Sequence, residues 1–361
     1  MLLQTPQRQP FRTEGIDLNN PYTLRRNDLC NIIMANLRVN NIVFIKGPPS
    51  IGKTSIARLL VEYVCSHDEF DVVHSVSFLK MDDGQTPSGF LQAKGIPDFN
   101  RDDNIGQMTL VIIDEVHRGY SFKTDAIWRN LKSLLGTDAS SSHLKIVLIG
   151  THSKLLGIDS SPLELQEACA VTDLRYSRVE FDILITQYNT QQQKEHPTHV
   201  SPLISSNVAS ILWVYTDGHP GVTTSALSTI ASHFEKEVHP SDAKLKSFIL
   251  SYEFPSLLAS RAFPSIGDPA QQQALIQALQ RRLHSTDPSV PFLSMVGVIR
   301  PIPGDISFCE MAAPIFFHIC VFILSPSFIF LCSFFTDLFL SFFPHKFRLE
   351  NADVKARFAS C

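Results

Sequence analysis

Gly47, Gly52, Lys53 and Thr54 stand in the spacing G-x-x-x-x-G-K-[ST] within IVFIKGPPSIGKTSIA, residues 42–57. Residue types in this order bind a chain of phosphates. Glycines let successive backbone N–H groups turn inward around an anion, and the N-terminus of a following helix adds partial positive charge. The candidate cradle is therefore Gly47, Pro48, Pro49, Ser50, Ile51, Gly52, Lys53, Thr54 and Ser55. Lys53 is placed to reach β- and γ-phosphates, and the Thr54 hydroxyl to ligate Mg²⁺. A second stretch, TLVIIDEVH at 109–117, ends an apolar run in Asp114 and Glu115. An acid at such a strand end holds Mg²⁺, often through water, and the next acid can polarise an attacking water. Successive side chains at a strand end point in opposite directions, which gives the two carboxylates different tasks. The candidate catalytic residues are Glu115, Lys53 and Thr151, with Asp114 and Thr54 as metal ligands and ATP with Mg²⁺ as the cofactors.

These residues need a scaffold that brings two strand ends together. Candidate strands lie at 42–46, 72–79, 109–113, 145–149 and 171–176, with helical segments between them, an alternation that predicts a parallel sheet covered on both faces. The strand between the two motifs suggests the additional-strand class of P-loop NTPase. The strand at 145–149 runs into Gly150, Thr151, His152 and Ser153. Thr151 is the candidate sensor of a γ-phosphate, with His152 and Ser153 in reserve. Ser177 and Glu180 have capping-box spacing and predict a helix from Arg178 through Ile185. Arg175 and Arg178 are expected to be solvated rather than phosphate-binding. The polar, proline-flanked segment 189–202 reads as a linker. Gly218-His219-Pro220-Gly221 precedes a helical run from Thr224 to Phe234. Its proline could lie against an adenine face, or the four residues could simply be a turn and helix start.

Composition narrows the classes. The chain has 361 residues, a net charge of −4 and no dense Lys/Arg stripe, so no nucleic-acid footprint is visible. Its seven cysteines are scattered without a C-x-x-C pair, which favours a reducing compartment over a disulfide framework or zinc site. The first 40 residues lack an apolar signal core, giving an intracellular expectation, cytoplasmic or nuclear. A GTPase would show D-x-x-G at the second motif and [NT]-K-x-D after a late strand; both fail here. Asp114-Glu115-Val116-His117 matches the second motif of a helicase type, but residues 200–361 offer no second motor domain. A small-molecule kinase would need an arginine-bearing lid.

Taken in order, GPPSIGKTS, LVIIDEVHRGY with Trp128 and Lys132 downstream, the strand ending in Gly150-Thr151-His152, LRYSRVEF and TDGHPG resemble the signal-transduction ATPases with numerous domains (STAND), which are AAA+-like. The likeness is greatest to the ATPase modules of Crinkler-type proteins and covers about residues 20 to 300. It implies an ATP-driven switch: a nucleotide domain, a helical subdomain carrying Gly218-x-Pro220, and a winged-helix-like part. The expected division is a leader at 1–25, a P-loop core at 26–190, a helical subdomain at 191–290 and an incomplete winged-helix-like region at 291–361. The family's N-terminal ubiquitin-like and secretion-associated region has no counterpart in the short leader.

The apolar segment 311–344 interrupts that last region. From Met311 to Thr336 there is no Asp, Glu, Lys or Arg, long enough for a membrane helix. Lys346, Arg348, Lys355 and Arg357 follow it, which by the positive-inside tendency places the ATPase on the wrong side. Three readings stay open: a membrane helix, a buried core segment, or a translated polypyrimidine tract from an unspliced intron separating Val296–Ile299 from residues 348–360 of one hairpin-bearing module. The functional expectation is an ATP-binding, ATP-hydrolysing switch. A non-hydrolysing ATP-dependent scaffold and a membrane-tethered nucleotide sensor are the alternatives. ATP and ADP, together with a protein partner or self-association, are the expected partners; a membrane enters only if 311–336 is a genuine helix.

Overall fold

The structure is a computed structural model, and it describes residues 15–47, 50–96, 99, 106–135, 142–150, 170–171, 173–195, 202–235, 237, 240–251, 253–262, 268–295, 298–302 and 305–311. Helix α1 (Asn27–Val39) leads into β1 (Ile42–Lys46), followed by α2 (Lys53–His67), β2 (Val72–Ser77), α3 (Pro87–Ala93), β3 (Thr109–Asp114), α4 (Ala126–Leu135), β4 (Leu144–Gly150) and β5 (Ala170–Val171). The five strands form one parallel sheet in the order β2-β3-β4-β1-β5. β4 is thus inserted between the strands that carry the two motifs.

The sheet is buried on both faces, which is why its strands are continuous apolar runs. Alternation then sorts their side chains. Val43, Ile45, Leu110, Ile112, Val147 and Ile149 pack with Ile33, Leu37, Ile56 and Leu60 of α1 and α2. Ile42, Phe44, Val111, Ile113, Ile146 and Leu148 pack on the opposite face with Phe90, Trp128 and Leu131 of α3 and α4. Each fully buried aliphatic side chain contributes about 1.5–3 kcal/mol relative to exposure.

Two strand expectations need correction. The second strand ends at Ser77 rather than 79, because Phe78–Lys80 coil into a 3₁₀ turn capped by the Ser77 hydroxyl. The fifth pairs only at Ala170–Val171, not through 176, because the carbonyls of Leu174 and Arg175 are taken by a side chain instead of a strand: Arg26 donates Nη1 to the first and Nη2 to the second, both at 2.8 Å.

Helix α5 (Arg178–Glu195) begins where the capping box places it. The Ser177 N–H donates to Glu180 Oε2 at 2.8 Å, and the Glu180 N–H to Ser177 Oγ at 3.2 Å. It runs ten residues past Ile185, so the first half of the expected linker 189–202 is helical. Helices α6 (Ser206–Thr216), α7 (Pro220–His233), α8 (Asp242–Ile249) and α9 (Glu253–Ala262) join α5 around a second core that includes Phe181, Val208, Leu212, Val222, Ile230 and Phe248.

A third, smaller unit follows: α10 (Pro269–Leu279), β6 (Leu283–His284), α11 (Val290–Met295), β7 (Ile299–Ile302) and β8 (Asp305–Met311). Its antiparallel sheet has the order β6-β8-β7, over a cluster including Leu275, Leu283, Leu293, Val298, Ile299 and Cys309. Two helices and a hairpin make up this unit, which begins before the expected boundary at 291. Among the described residues, β7 pairs antiparallel with β8. Apart from Met311, residues 311–344 lie outside those described, as does 348–360. Among the described residues, no helix is long and apolar enough to cross a membrane.

Trp128 ties one face together: its ring meets Tyr120 edge-on at 5.7 Å and its indole N–H donates to the Phe122 carbonyl at 2.9 Å. Trp128→Ala is expected to cost about 3–5 kcal/mol, read as a lower urea midpoint at unchanged m-value.

A phosphate-binding loop closed by a distant helix

β1 ends at Lys46, in register with Gly150 of β4, and the chain turns from there into the loop. Ser50 (φ 60°) and Gly52 (φ 93°) both adopt left-handed backbone, the conformation that turns N–H groups into an anion-binding concavity. At Gly52 the glycine is required, since a side chain at that φ is strained. α2 starts at Lys53, so its unsatisfied N–H groups and positive dipole end open into the loop.

Lys53 is buried at 6% exposure, and its Nζ donates to the Gly47 carbonyl at 3.0 Å. Burial lowers its pKa, partly offset by the charges of Glu115 and Asp114. The Thr54 hydroxyl donates to Asp114 Oδ2 at 2.8 Å, joining the two motifs directly. Asp114 is 5% exposed; burial raises its pKa, while the Thr54 bond and the Glu115 N–H, which donates to Oδ1 at 2.9 Å, lower it. Glu115 departs from the strand with φ 55°, left-handed for a non-glycine residue, and its side chain leaves Asp114 for a more open position. The two acids are thereby separated into a buried one and a half-exposed one.

Beyond Glu115, residues Val116–Ser121 form a 3₁₀ turn. His117 lies there with Nε2 at 3.4 Å from Glu115 Oε2. Burial pushes the imidazole down to about 4, helped by the cations of Lys53 and Arg118 and opposed by Asp114, so the ring is neutral at neutral pH.

The fourth wall comes from the helical unit. α7 begins with His219 as its cap and Pro220 as its first residue, and its Gly221 N–H donates to the Ser50 carbonyl at 3.0 Å. A methyl group on Gly221 would stand 2.4 Å from that same oxygen, so only glycine permits the approach. The Pro220 ring covers Gly52, with its carbons 3.7 and 3.8 Å from where a β-carbon there would lie. The Gly218–Gly221 stretch is therefore both a turn with a helix start and a direct contact on the phosphate loop. It is held by the segment after β5: the Tyr176 N–H donates to the Gly218 carbonyl at 2.8 Å, and Arg175 Nη1 pairs with Asp217 at 2.6 Å. Arg175 is thus half-buried and ion-paired, not freely solvated. Arg178 is the more exposed of the two, pairing with Asp182 and lying over Trp213.

Sequence reasoning missed two residues here. Arg26 (8% exposed) pairs with Glu180 at 2.9 Å, lies over the Tyr176 ring and holds the Leu174 and Arg175 carbonyls. Its only sequence signal was a basic residue just before a helix. His117 is the other, though it followed the second motif in plain view. Of the predicted set, Gly47, Ser50, Ile51, Gly52, Lys53, Thr54, Ser55, Asp114, Glu115 and Pro220 converge on this edge of the sheet. Pro48, Pro49, Thr151, His152 and Ser153 lie outside the described residues.

The donor set fits a phosphate chain with a hard divalent cation. A left-handed loop and a buried ammonium suit the anion. A buried carboxylate whose ionisation is disfavoured, beside a hydroxyl, suits Mg²⁺, which takes one or two protein oxygens and completes its shell with phosphate and water. Among the described residues, no group of three or more His, Cys, Asp or Glu forms a self-sufficient metal cage. Strand order, loop and acid pair together decide the fold.

The chain has the P-loop NTPase fold.

No family model matches the chain. It is 25% identical over 214 residues, 52% of this chain, to the RecBCD enzyme subunit RecD of Buchnera aphidicola subsp. Schizaphis graminum, and spans about a third of that protein's length (35%). Similar solved structures include the Walker-type ATPase paby2304 of Pyrococcus abyssi, at 13% identity over 82% of this chain and 96% of that one with a TM-score of 0.45. A single-residue variant of Thermotoga maritima RuvB aligns at 14% identity over 79% and 90% with a TM-score of 0.39. Domain III of the Thermotoga maritima replication initiation protein DnaA aligns at 12% over 66% and 99% with a TM-score of 0.40. The fold assignment rests on strand order and site geometry, not on these alignments.

Two outcomes follow for the site. Gly221→Ala, by forcing α7 off the loop, is expected to cost about 1–3 kcal/mol and to weaken nucleotide binding, measured by thermal melts with and without Mg-ATP. His117 is held neutral when folded but ionises below its ordinary pKa of about 6.5 when unfolded. The unfolded state therefore binds more protons between about 6.5 and 4, and stability falls as pH drops through that window. In urea melts at pH 7.5, 6 and 5, His117→Gln should lose this part of the slope.

Proposed function

We propose that the protein is an ATP-binding, ATP-hydrolysing molecular switch of the STAND/AAA+ type, similar to the modules of Crinkler-type proteins. The observation that supports this best is the contact of Gly221 and Pro220 with Ser50 and Gly52, which makes a helix of the second core part of the phosphate loop. The contact gives that helix a direct link to the residues that would hold the nucleotide.

The chemistry assigned to the residues follows their surroundings. Loop N–H groups and the Lys53 ammonium bind the phosphates, and Lys53 exchanges the Gly47 carbonyl for phosphate oxygens. Thr54 and Asp114 would hold Mg²⁺, which supplies charge neutralisation at the phosphates. Glu115, more open than Asp114, orients a water and accepts its proton. Thr151 reads the γ-phosphate, and the Pro220 ring lies beside the adenine. Ser50 is the point where occupancy is felt: a phosphate pulling the loop N–H groups alters the carbonyl that receives the Gly221 N–H. ATP and ADP then favour different positions of α7, and that differential contact is what a population shift needs. In this cycle the α5–α9 unit is the responding part and a protein partner or a second copy is the receiver, in the cytoplasm or nucleus where ATP is supplied.

The test is Mg-ATP turnover by the full chain beside Lys53→Ala and Glu115→Gln. Glu115→Gln is expected to lose turnover by at least about 100-fold while keeping ATP binding; Lys53→Ala should lose both. Binding without turnover in the parent protein would replace the switch by a nucleotide-dependent scaffold.

A further inference from the structure

The hydrolytic reading leaves one half-buried group at the site without a task. His117 follows Glu115 in the 3₁₀ turn, and its Nδ1 is buried with no hydrogen-bond partner among the described residues, while Nε2 stands 3.4 Å from Glu115 Oε2. A neutral imidazole carries one proton, and the surroundings choose where. On Nδ1 it would be a buried N–H with no acceptor, and the bare Nε2 lone pair would face a carboxylate. On Nε2 it lies near that carboxylate, 3.4 Å away, and only a lone pair is left in the interior. The second arrangement is the cheaper one.

Backbone geometry explains how the two side chains meet. Two residues apart on a continuing strand, their side chains would point the same way but about two rises apart along it. The left-handed Glu115 (φ 55°) ends the strand, and the 3₁₀ turn that follows brings His117 back over it. The strained residue is what creates the pair.

Resting on the hydrolytic reading above, we propose that His117 is a positioning residue: its Nε2–H fixes Glu115 Oε2 so that Oε1 is aimed at the attacking water. At 3.4 Å the two atoms are close but not hydrogen-bonded in this structure, and the bond forms when the reacting complex tightens, as catalytic contacts often do. In the step itself, the water O–H bond breaks to Glu115 Oε1 and a P–O bond forms at the terminal phosphorus. The bridging P–O bond breaks with its electron pair remaining on the diphosphate, and Glu115 returns its proton to the released phosphate. His117 exchanges no proton. It holds the base in one orientation, and the entropy of a half-exposed carboxylate is what it removes.

The experiment compares Mg-ATP kinetics of full-length His117→Leu, His117→Gln and His117→Asn, with ATP binding and thermal melts as controls. Leu removes the donor at similar volume. Gln places an amide N–H₂ at the reach of Nε2; Asn places it near Nδ1. The expected result is a kcat about 10- to 100-fold lower for Leu and Asn, KM within about twofold, and Gln within about threefold of the parent. If Leu fails to fold, Gln against Asn still decides. Equal kcat in the folded variants, or a loss carried by KM, would overturn the positioning role while leaving the hydrolytic reading intact. An inactive parent protein would overturn both, so the two failures are told apart.

Discussion

The site depends on a desolvated pair of opposite charges held at one edge of a buried sheet. Lys53 and Asp114 are both almost withdrawn from water, and burial pushes each toward its neutral form. A buried ion without full compensation costs several kcal/mol, so this edge is the least comfortable part of an otherwise apolar core. The protein meets part of that cost with a loop carbonyl on Lys53 and a hydroxyl and an N–H on Asp114. A polyanion with a divalent cation would meet the rest. The discomfort of the site is thus the same quantity as its capacity to bind.

That tension explains why the surroundings are so closely specified. The apolar layers on both faces of the sheet fix where β1 and β3 end, and β4 between them fixes their separation. The α5–α9 unit does not merely follow the sheet in sequence. Gly221 enters the loop, Tyr176 and Arg175 hold the residues before it, and Arg26 holds the segment that carries Tyr176 and Arg175. From the loop to the second core runs one continuous chain of hydrogen bonds and ion pairs.

Much of this was legible in the sequence, for identifiable reasons. Strands buried on both faces are unbroken apolar runs, so β1, β3 and β4 were placed within a residue or so. The phosphate loop and the acid pair announce themselves because their chemistry constrains residue type at fixed spacing. The end of α5 was not legible: past Ile185 it is largely Gln, Thr and Asn, residues with no apolar period to follow, and helix there depends on propensity and tertiary support. The short fifth strand was hidden because its backbone is claimed by Arg26, about 150 residues away in sequence. The contact between Ser50 and Gly221 has the same origin. No local pattern records a partner that arrives from another part of the chain.

The strand order also sets a timetable for synthesis. β1 emerges first among the strands, yet both of its neighbours are late: Ile42 pairs with Ile146, and Phe44 with Ala170. At about 5–20 residues per second, the first of these arrives roughly 5–20 s after β1 leaves the ribosome. During that interval β2 and β3 can pair with each other, while IVFIK waits with two open edges and no charge until its last residue. The strand that carries the phosphate loop is therefore an aggregation hazard of the nascent chain during that wait, and a chaperone that recognises short apolar segments has a natural substrate there.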